Sequence, residues 1–202
     1  MGIIISLAGL VVMIGWIFDI GILKSILPVW VTMKFSTALC FFLSGINIYF
    51  IASSQGKGLG VAQVVLSITT LCILFLMAVL LISVVIGLRT GVEDLFVREA
   101  EGAVRTVTPG RPSVGTMINF ILIATASIFT MLNIAKLRIT LLMTGGIVTI
   151  IGMVALMGYM LGKPFLYYEI NGCSTAMALH TAILFVIAGS GLILLGRGNN
   201  AH

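Results

Sequence analysis

A short phrase recurs three times in this chain, each time at the start of a long apolar run. The copies occupy residues 33–45, 112–124 and 177–189, and the outer two share the pattern Met-x3-Thr-Ala-(Leu/Ile)-x-Phe-x3-Gly. The middle copy keeps the threonine and the phenylalanine but has proline and alanine in place of the methionine and the glycine. Because repeated sequence indicates repeated structural units, the phrase predicts one domain made of three units. The units cover about residues 1–54, 55–134 and 135–202.

The composition requires a membrane around these units. The chain has 202 residues, of which 60% are hydrophobic and only 8% charged, and its mean hydropathy is +1.24. A soluble domain carries about a quarter charged residues, whereas a membrane-spanning helix needs about 20 apolar ones. We predict an all-α integral membrane protein with six transmembrane helices, arranged as three helix pairs. The predicted spans are residues 3–23, 31–52, 59–88, 115–132, 139–160 and 176–195.

Two of these spans carry further expectations. The first begins at residue 3 with no basic stretch before it and no small-residue cleavage site after it, so we expect a retained helix and not a removed signal peptide. The third is about 30 residues long and should tilt or project beyond the bilayer.

Gly15 precedes Thr37 by 22 residues and Gly158 precedes Thr181 by 23. The repeat therefore extends into the first helix of each outer pair.

The basic residues bear on partners and orientation. They stand singly between the spans, without interleaved aromatic clusters, which argues against nucleic acid and suits anchoring at anionic headgroups of the lipid bilayer. An even number of spans places both termini on one side, and we expect the cytoplasmic side of a bacterial inner membrane. Four Lys and Arg residues then lie inside and seven outside, four of the seven within residues 89–114. Such a count does not support this orientation by the positive-inside rule.

Each copy of the phrase places a threonine, a phenylalanine and a small residue along one helix face. Side chains four positions apart share a face, and a small residue lets a second backbone approach closely, which favours helix association in lipid. We predict a centre of pseudo-threefold symmetry lined by three phenylalanines from the second, fourth and sixth helices. These stripes serve helix packing alone, or ligand binding as well. The stripe residues are Thr37, Phe41 and Gly45, then Thr116, Phe120 and Ala124, then Thr181, Phe185 and Gly189.

Polar side chains within the apolar runs are candidate sites, because their burial in hydrocarbon costs free energy. Asp19 lies near the outer end of the first span, where Lys24 or Lys34 can neutralise it. We interpret this as an interfacial ion pair, with a proton relay as the alternative.

Three amides and one histidine complete the polar candidates. Asn119 can hydrogen-bond across helices, as can Asn47 or Gln63. His180 enters the sixth span directly before the threonine of its stripe. No second histidine or paired thiol joins His180, so no metal site is predicted, and the residues identify no cofactor.

Unit two contains a charged insertion at residues 89–111. Val92, Leu95 and Phe96 are spaced as on one face of a short helix, with acids on the other side. We predict that this helix lies in the membrane–water interface with its apolar face toward the lipid. It would serve as a structural lid or as a ligand gate. The carboxylates crowd this loop, and the glycines at 56–60 lack the strand and the Lys-Ser ending of a nucleotide-binding loop. No enzymatic activity is expected.

Four phrases carry a resemblance to a known family. They are Met-Lys-x-x-Thr-Ala-Leu-Cys-Phe at residues 33–41, Val-Glu-Asp-Leu-Phe at 92–96, Pro-Gly-Arg at 109–111 and Thr-Ala-Met-Ala-Leu-His-Thr-Ala at 175–182. With them the chain resembles the six-helix membrane input region of bacterial histidine kinases and diguanylate cyclases, where it usually precedes PAS domains. The resemblance implies a module that senses something at or in the membrane and passes a change to cytoplasmic domains.

The chain departs from that family in two places. Pro112 and Met117 stand where the family tends to have Met and Ala, and only seven residues follow Leu195, without a linker helix or an effector domain. We therefore expect either an excised sensor region that binds a hydrophobic or interfacial ligand near the stripes, or a freestanding accessory subunit of a larger membrane complex, around pigments or quinones. Expected protein partners are other membrane proteins or further copies of the chain.

Overall fold

The computed structural model describes residues 1–27, 29–54, 60–100, 102–134, 136–169 and 174–198. The regular elements within these ranges are helices, and we number the six long ones α1 to α6. Three shorter helices lie between them, at Gly21–Lys24, Val92–Asp94 and Pro164–Tyr167. The long helices are α1 (Gly2–Ile17), α2 (Phe35–Ser54), α3 (Gly60–Ile86), α4 (Val114–Met131), α5 (Leu137–Leu161) and α6 (Leu179–Gly198).

Five helices, α2 to α6, are long and apolar enough to cross a membrane. The apolar helix α1 has only 16 residues, or about 24 Å at 1.5 Å per residue. These helices indicate an all-α integral membrane protein. The long third span appears as the 27 residues of α3, about 40 Å against a hydrocarbon core of about 30 Å. The predicted start of that span, at residue 59, lies outside the described residues.

The predicted first span is wrong at its C-terminal end, because α1 stops at Ile17 and not at residue 23. Asp19 adopts a left-handed conformation with φ of 55°, and the Ile20 amide donates to the Gly15 carbonyl over 2.8 Å. This is a Schellman-type ending, which satisfies a terminal carbonyl and turns the chain away from the helix axis. Gly21–Lys24 then forms a separate short helix.

The even-numbered helices form the centre of the bundle and the odd-numbered helices its outer ring. Large apolar side chains of α1, α3 and α5 are exposed along most of their length, whereas α2, α4 and α6 expose few. Each outer helix packs against the inner helix that follows it, and also against a second one: α1 against α6, α3 against α2 and α5 against α4. The exposed apolar faces suit contact with lipid.

Glycines bring two of the outer helices into backbone contact with inner ones. A Cβ added to Gly9 of α1 would lie 2.5 Å from the Ala38 carbonyl oxygen of α2. A Cβ added to Gly152 of α5 would lie 2.9 Å from the Ala182 carbonyl oxygen of α6. No side chain larger than hydrogen fits at this approach, and close backbone packing drives association in lipid.

The links that follow α1 and α5 also match. The Trp16 indole donates to the Met33 carbonyl over 2.7 Å, and the Tyr159 hydroxyl donates to the Met177 carbonyl over 2.7 Å. Gly162, the first residue after α5, is left-handed (φ 61°), as is Asp19, the second residue after α1. These shared contacts hold each link against its own helix pair.

The insertion of unit two differs from the predicted amphipathic helix. Only Val92–Asp94 is helical, as one 3-10 turn, and Glu93 is buried although the acids were expected on the outer side. Leu95 and Phe96 are more exposed than Val92. The apolar spacing was a poor guide because hydrogen bonds to the Glu93 carboxylate, and not apolar burial, fix this turn.

Candidate functional site

The three stripe phenylalanines meet at the centre of the bundle. Ring centroids of Phe41 and Phe120 are 4.8 Å apart, those of Phe41 and Phe185 4.8 Å, and those of Phe120 and Phe185 5.0 Å. All three side chains are fully buried. Tilted and edge-on aromatic contacts at such distances are favourable. The rings touch one another directly, so the space between them is filled by protein.

The other stripe residues lie around this phenylalanine centre. Thr37, Thr116 and Thr181 are buried, and Thr116 donates its amide to the hydroxyl of Ser113, the N-cap of α4. The small residues end the stripes, and two of them meet the outer helices. Gly45 lies against Gly2 and Ser6 of α1, Gly189 lies against Gly145 and Thr149 of α5, and Ala124 is fully buried.

Asp19 forms an ion pair with Lys24 at the outer surface of the bundle. The hydrogen bond from Lys24, followed by its positive charge, lowers the pKa of the Asp19 carboxyl below its ordinary value of 3.8. The Asp19 side chain is 91% exposed. Exposed pairs of this kind contribute little to stability. Lys34, the other candidate partner, lies elsewhere.

Among the asparagines, Asn47 and not Asn119 joins helices by hydrogen bonds. The Asn47 amide donates to Thr70 of α3 over 3.2 Å and to Ser127 of α4 over 3.0 Å, and the Asn47 carbonyl oxygen accepts from Thr69. Gln63 is exposed. Asn119 is fully buried, and within the described residues neither of its side-chain polar atoms has a hydrogen-bond partner.

His180 lies in the first turn of α6, beside a groove between α6 and α1. Its side chain is mostly shielded, and its Nε2 atom has no hydrogen-bond partner among the described residues. No group of three His, Cys, Asp or Glu side chains that could hold a metal ion occurs within the described part of the chain.

A buried ion pair that the sequence did not reveal connects units one and two. Lys34 Nζ lies 2.6 Å from Glu99 Oε1, and both side chains are at most 5% exposed. Glu99 also accepts from the Gly110 amide over 2.7 Å, and Lys34 donates to Thr106 over 2.8 Å. Burial lowers the pKa of Lys34 despite the opposing effect of the Glu99 charge. The pair holds the insertion over the start of α2.

A second buried pair lies at the end of α3. Arg111 Nη2 donates to Glu93 Oε1 over 3.0 Å, and Ser83 donates to the same oxygen over 2.6 Å. Burial alone would raise the pKa of Glu93, but hydrogen bonds from Ser83, Arg111 and Thr90 outweigh it and lower this pKa to about 2. Glu93 is therefore ionised at neutral pH.

An aromatic pocket is lined by residues of the link after α1, of the insertion, and of the end of α5 with the link that follows it. The rings of Trp30 and Tyr159 are 5.7 Å apart and edge-on, and those of Tyr159 and Tyr167 are stacked at 4.5 Å. The Arg105 guanidinium lies 5.4 Å from the Tyr167 ring and 3.5 Å from Glu169. The pocket has a volume of about 110 Å³ and is completed by Val29, Val31 and Gly162. Its shape and chemistry suit a small, partly apolar molecule with a hydrogen-bond-accepting group.

Comparison with known proteins adds no relative to this picture. No family model, no curated protein and no solved structure matches the chain.

Proposed function

We propose that the chain is a non-catalytic, sensor-like membrane module that binds a small hydrophobic or interfacial ligand in the aromatic pocket. In this proposal six transmembrane helices form three helix-pair repeats, both termini are cytoplasmic, and the pocket faces the outer side of a bacterial inner membrane. The supporting observation is the origin of the pocket lining. Trp30 comes from the link of unit one, Arg105 from the insertion of unit two, and Tyr159 and Tyr167 from unit three. A ligand held there contacts all three units at once.

The pocket has a direct connection to α6. The Tyr159 hydroxyl donates to the Met177 carbonyl over 2.7 Å, and the Met177 amide donates to the Tyr167 carbonyl over 2.8 Å. Met177 lies two residues before α6 begins. Displacement of either tyrosine by a ligand moves the start of α6, and the helix carries this movement to its other end.

Arg105 indicates which polar group the ligand should carry. Its side chain is 44% exposed and its pairing distance to Glu169 is long, at 3.5 Å. Guanidinium groups bind carboxylates well, and the neighbouring aromatic faces accept an apolar ring. Small aromatic carboxylates are therefore suitable probes, with benzoate as the simplest.

Hydrogen exchange of the full chain in lipid nanodiscs tests the proposal. We expect benzoate to slow exchange at residues 102–109 and 164–169 and to change exchange in the last turn of α6. Arg105→Gln should abolish both effects, whereas Arg98→Gln, an exposed arginine of the same insertion, should not. Equal responses of the two variants, or no response at α6, would contradict the proposal.

A second candidate function is an accessory subunit that packs against other membrane proteins. The observation in its favour is the length of α1, whose 16 residues are too few to span an average bilayer. A short span can be accommodated by contact with neighbouring helices. Cross-linking from Ile3→Cys on the exposed face of α1 tests this in native membranes. A product of one defined mass would support it, and labelling by lipid probes alone would contradict it.

A further inference from the structure

Residues 102–110 of the insertion, which we call the strap, lie over the starts of α2 and α6 without entering the apolar core. Of these nine residues only Gly110 is buried, and none is part of the apolar core or packs against it. Val104 and Val107 are each 40% exposed. Local opening costs least free energy where few apolar contacts are lost. The position of the strap therefore depends on its polar contacts.

Lys34, directly before α2, holds the strap at two points. Its ammonium group donates to the Thr106 hydroxyl over 2.8 Å and to the Glu99 carboxylate over 2.6 Å. Glu99 in turn accepts from the Gly110 amide over 2.7 Å. The side chains of Lys34 and Glu99 are only 3% and 5% exposed, so the loss of either one would leave an uncompensated buried charge. The Lys34 ammonium group thus stabilises the closed position of the strap.

On its other side, the strap meets the residues that precede α6. The Ala176 amide donates to the Arg105 carbonyl over 3.3 Å. The Val107 amide donates to the Thr175 hydroxyl over 3.3 Å. Arg105 is left-handed with φ of 51°, and this conformation costs a non-glycine residue free energy. Release of the strap would remove that cost, which favours opening on this side.

We propose that the strap opens and closes as a lid of the aromatic pocket, and that Lys34 holds it closed. The closed strap presents Arg105 to the pocket and connects the starts of α2 and α6. The open strap withdraws Arg105 and frees residues 175 and 176. Lys34 does not line the pocket and acts on it through the strap. The control of ligand binding rests on the proposed function, whereas the opening of the strap does not.

Amide-resolved hydrogen exchange of the full chain in lipid nanodiscs tests the role of Lys34. In Lys34→Met the amides that hold the strap closed should exchange at least a hundredfold faster, because Glu99 is left buried without its partner. The Lys163 amide, which donates to the Gly158 carbonyl over 2.9 Å outside the strap, should keep its rate. The three reporting amides are those of Val107, Gly110 and Ala176.

Two further variants separate the strap from the stability of the whole chain. Thr106→Val removes the hydroxyl group that accepts from Lys34 but keeps the buried ion pair, so the three amides should exchange about tenfold faster. Lys24→Met breaks the exposed pair with Asp19 in the same link and should leave them unchanged. Unchanged exchange in Lys34→Met and Thr106→Val, or equal acceleration of the Lys163 amide in a folded Thr106→Val variant, would overturn the proposal.

Benzoate connects the strap to the pocket. If the ligand binds only the closed strap, a concentration of 100 times its Kd should slow the three amides about a hundredfold. It should do so in Lys34→Met as well, because Lys34 does not touch the ligand. Benzoate that binds without slowing these amides would overturn the lid while the proposed function stands. If benzoate does not bind at all, the proposed function fails, and the exchange rates of the variants alone decide whether Lys34 holds the strap closed.

Discussion

The helix pair α3–α4 is held together differently from the pairs α1–α2 and α5–α6. The outer two pairs bring backbones together at glycines, with Gly9 against α2 and Gly152 against α6. After its first residue, α3 contains no glycine, and its C-terminal end is held by the buried Glu93 and Arg111. The insertion that provides these charges also provides Arg105 of the aromatic pocket. The glycine contacts make the two outer pairs a close-packed frame, whereas the middle pair depends on a buried ion pair.

The largest expected effect is on the frame. Gly9→Leu and Gly152→Leu should each lower the free energy of unfolding by about 3 kcal/mol, because the added side chain meets backbone that cannot move aside. Gly146→Leu on α5 is the matched control, since nothing lies within 4 Å of an added Cβ there. SDS titration of unfolding in mixed micelles measures all three. Similar losses at Gly9 and Gly146 would refute the close-packing account.

Removal of one charge in unit two should have an effect of similar size. Arg111→Met leaves Glu93 buried without its partner and should cost about 3 kcal/mol of unfolding free energy. The double variant Glu93→Leu/Arg111→Met should recover most of that loss, because no unpaired charge remains. Asp94→Asn breaks the more exposed pair with Arg89 and should cost less than about 1 kcal/mol. If Arg111→Met lowered the unfolding free energy no more than Asp94→Asn does, the buried pair would not be what stabilises unit two.

A fall in pH should destabilise the insertion of unit two before it affects the two outer helix pairs. The pKa of Glu93 is lowered to about 2 in the folded chain from an ordinary value of 4.5. The stabilisation is therefore complete above pH 4.5 and is lost as the pH falls toward 2. Hydrogen exchange at residues 89–111 should accelerate over this range in the wild type and much less in Glu93→Gln. The same acceleration in both would contradict the role of this carboxylate.

The smallest expected effects test the likeness of units one and three. Trp16→Phe and Tyr159→Phe each remove one hydrogen bond to a methionine carbonyl, over 2.7 Å in both cases. Each should cost about 1 kcal/mol. Thermal unfolding should show a shift in both variants, and a larger one for Trp16→Phe, which also weakens the contact of the Lys24 ammonium with the indole ring at 4.8 Å. An unchanged unfolding temperature in either variant would contradict the role of its hydrogen bond.

The sequence predicted the centre of the bundle better than its periphery. A threonine and a phenylalanine four residues apart, repeated three times, were enough to place Phe41, Phe120 and Phe185 on facing helices. The early end of α1 depended on a left-handed Asp19, which no apolar pattern reveals. Asn47 and Asn119 look alike in sequence, and only the packed bundle shows which one meets hydroxyl groups on neighbouring helices.

The aromatic pocket lay beyond sequence reasoning for a different reason. Trp30, Arg105 and Tyr159 come from three distant segments, and no spacing rule relates them. The buried Glu93 was likewise hidden, because its burial depends on an arginine 18 residues further along the chain. Contacts of this kind follow from the packing of the helices and not from local periodicity.

The three stripes converge on one aromatic centre, and the energetic coupling between the phenylalanines tests this convergence most directly. Unfolding free energies of Phe41→Leu, Phe120→Leu and Phe185→Leu, with the three double variants, give three pairwise coupling energies. Rings 4.8–5.0 Å apart should give about 0.5–1.5 kcal/mol for every pair. Additive effects for any pair would show that its two rings do not meet, and would contradict a bundle built from three helix pairs around one aromatic centre.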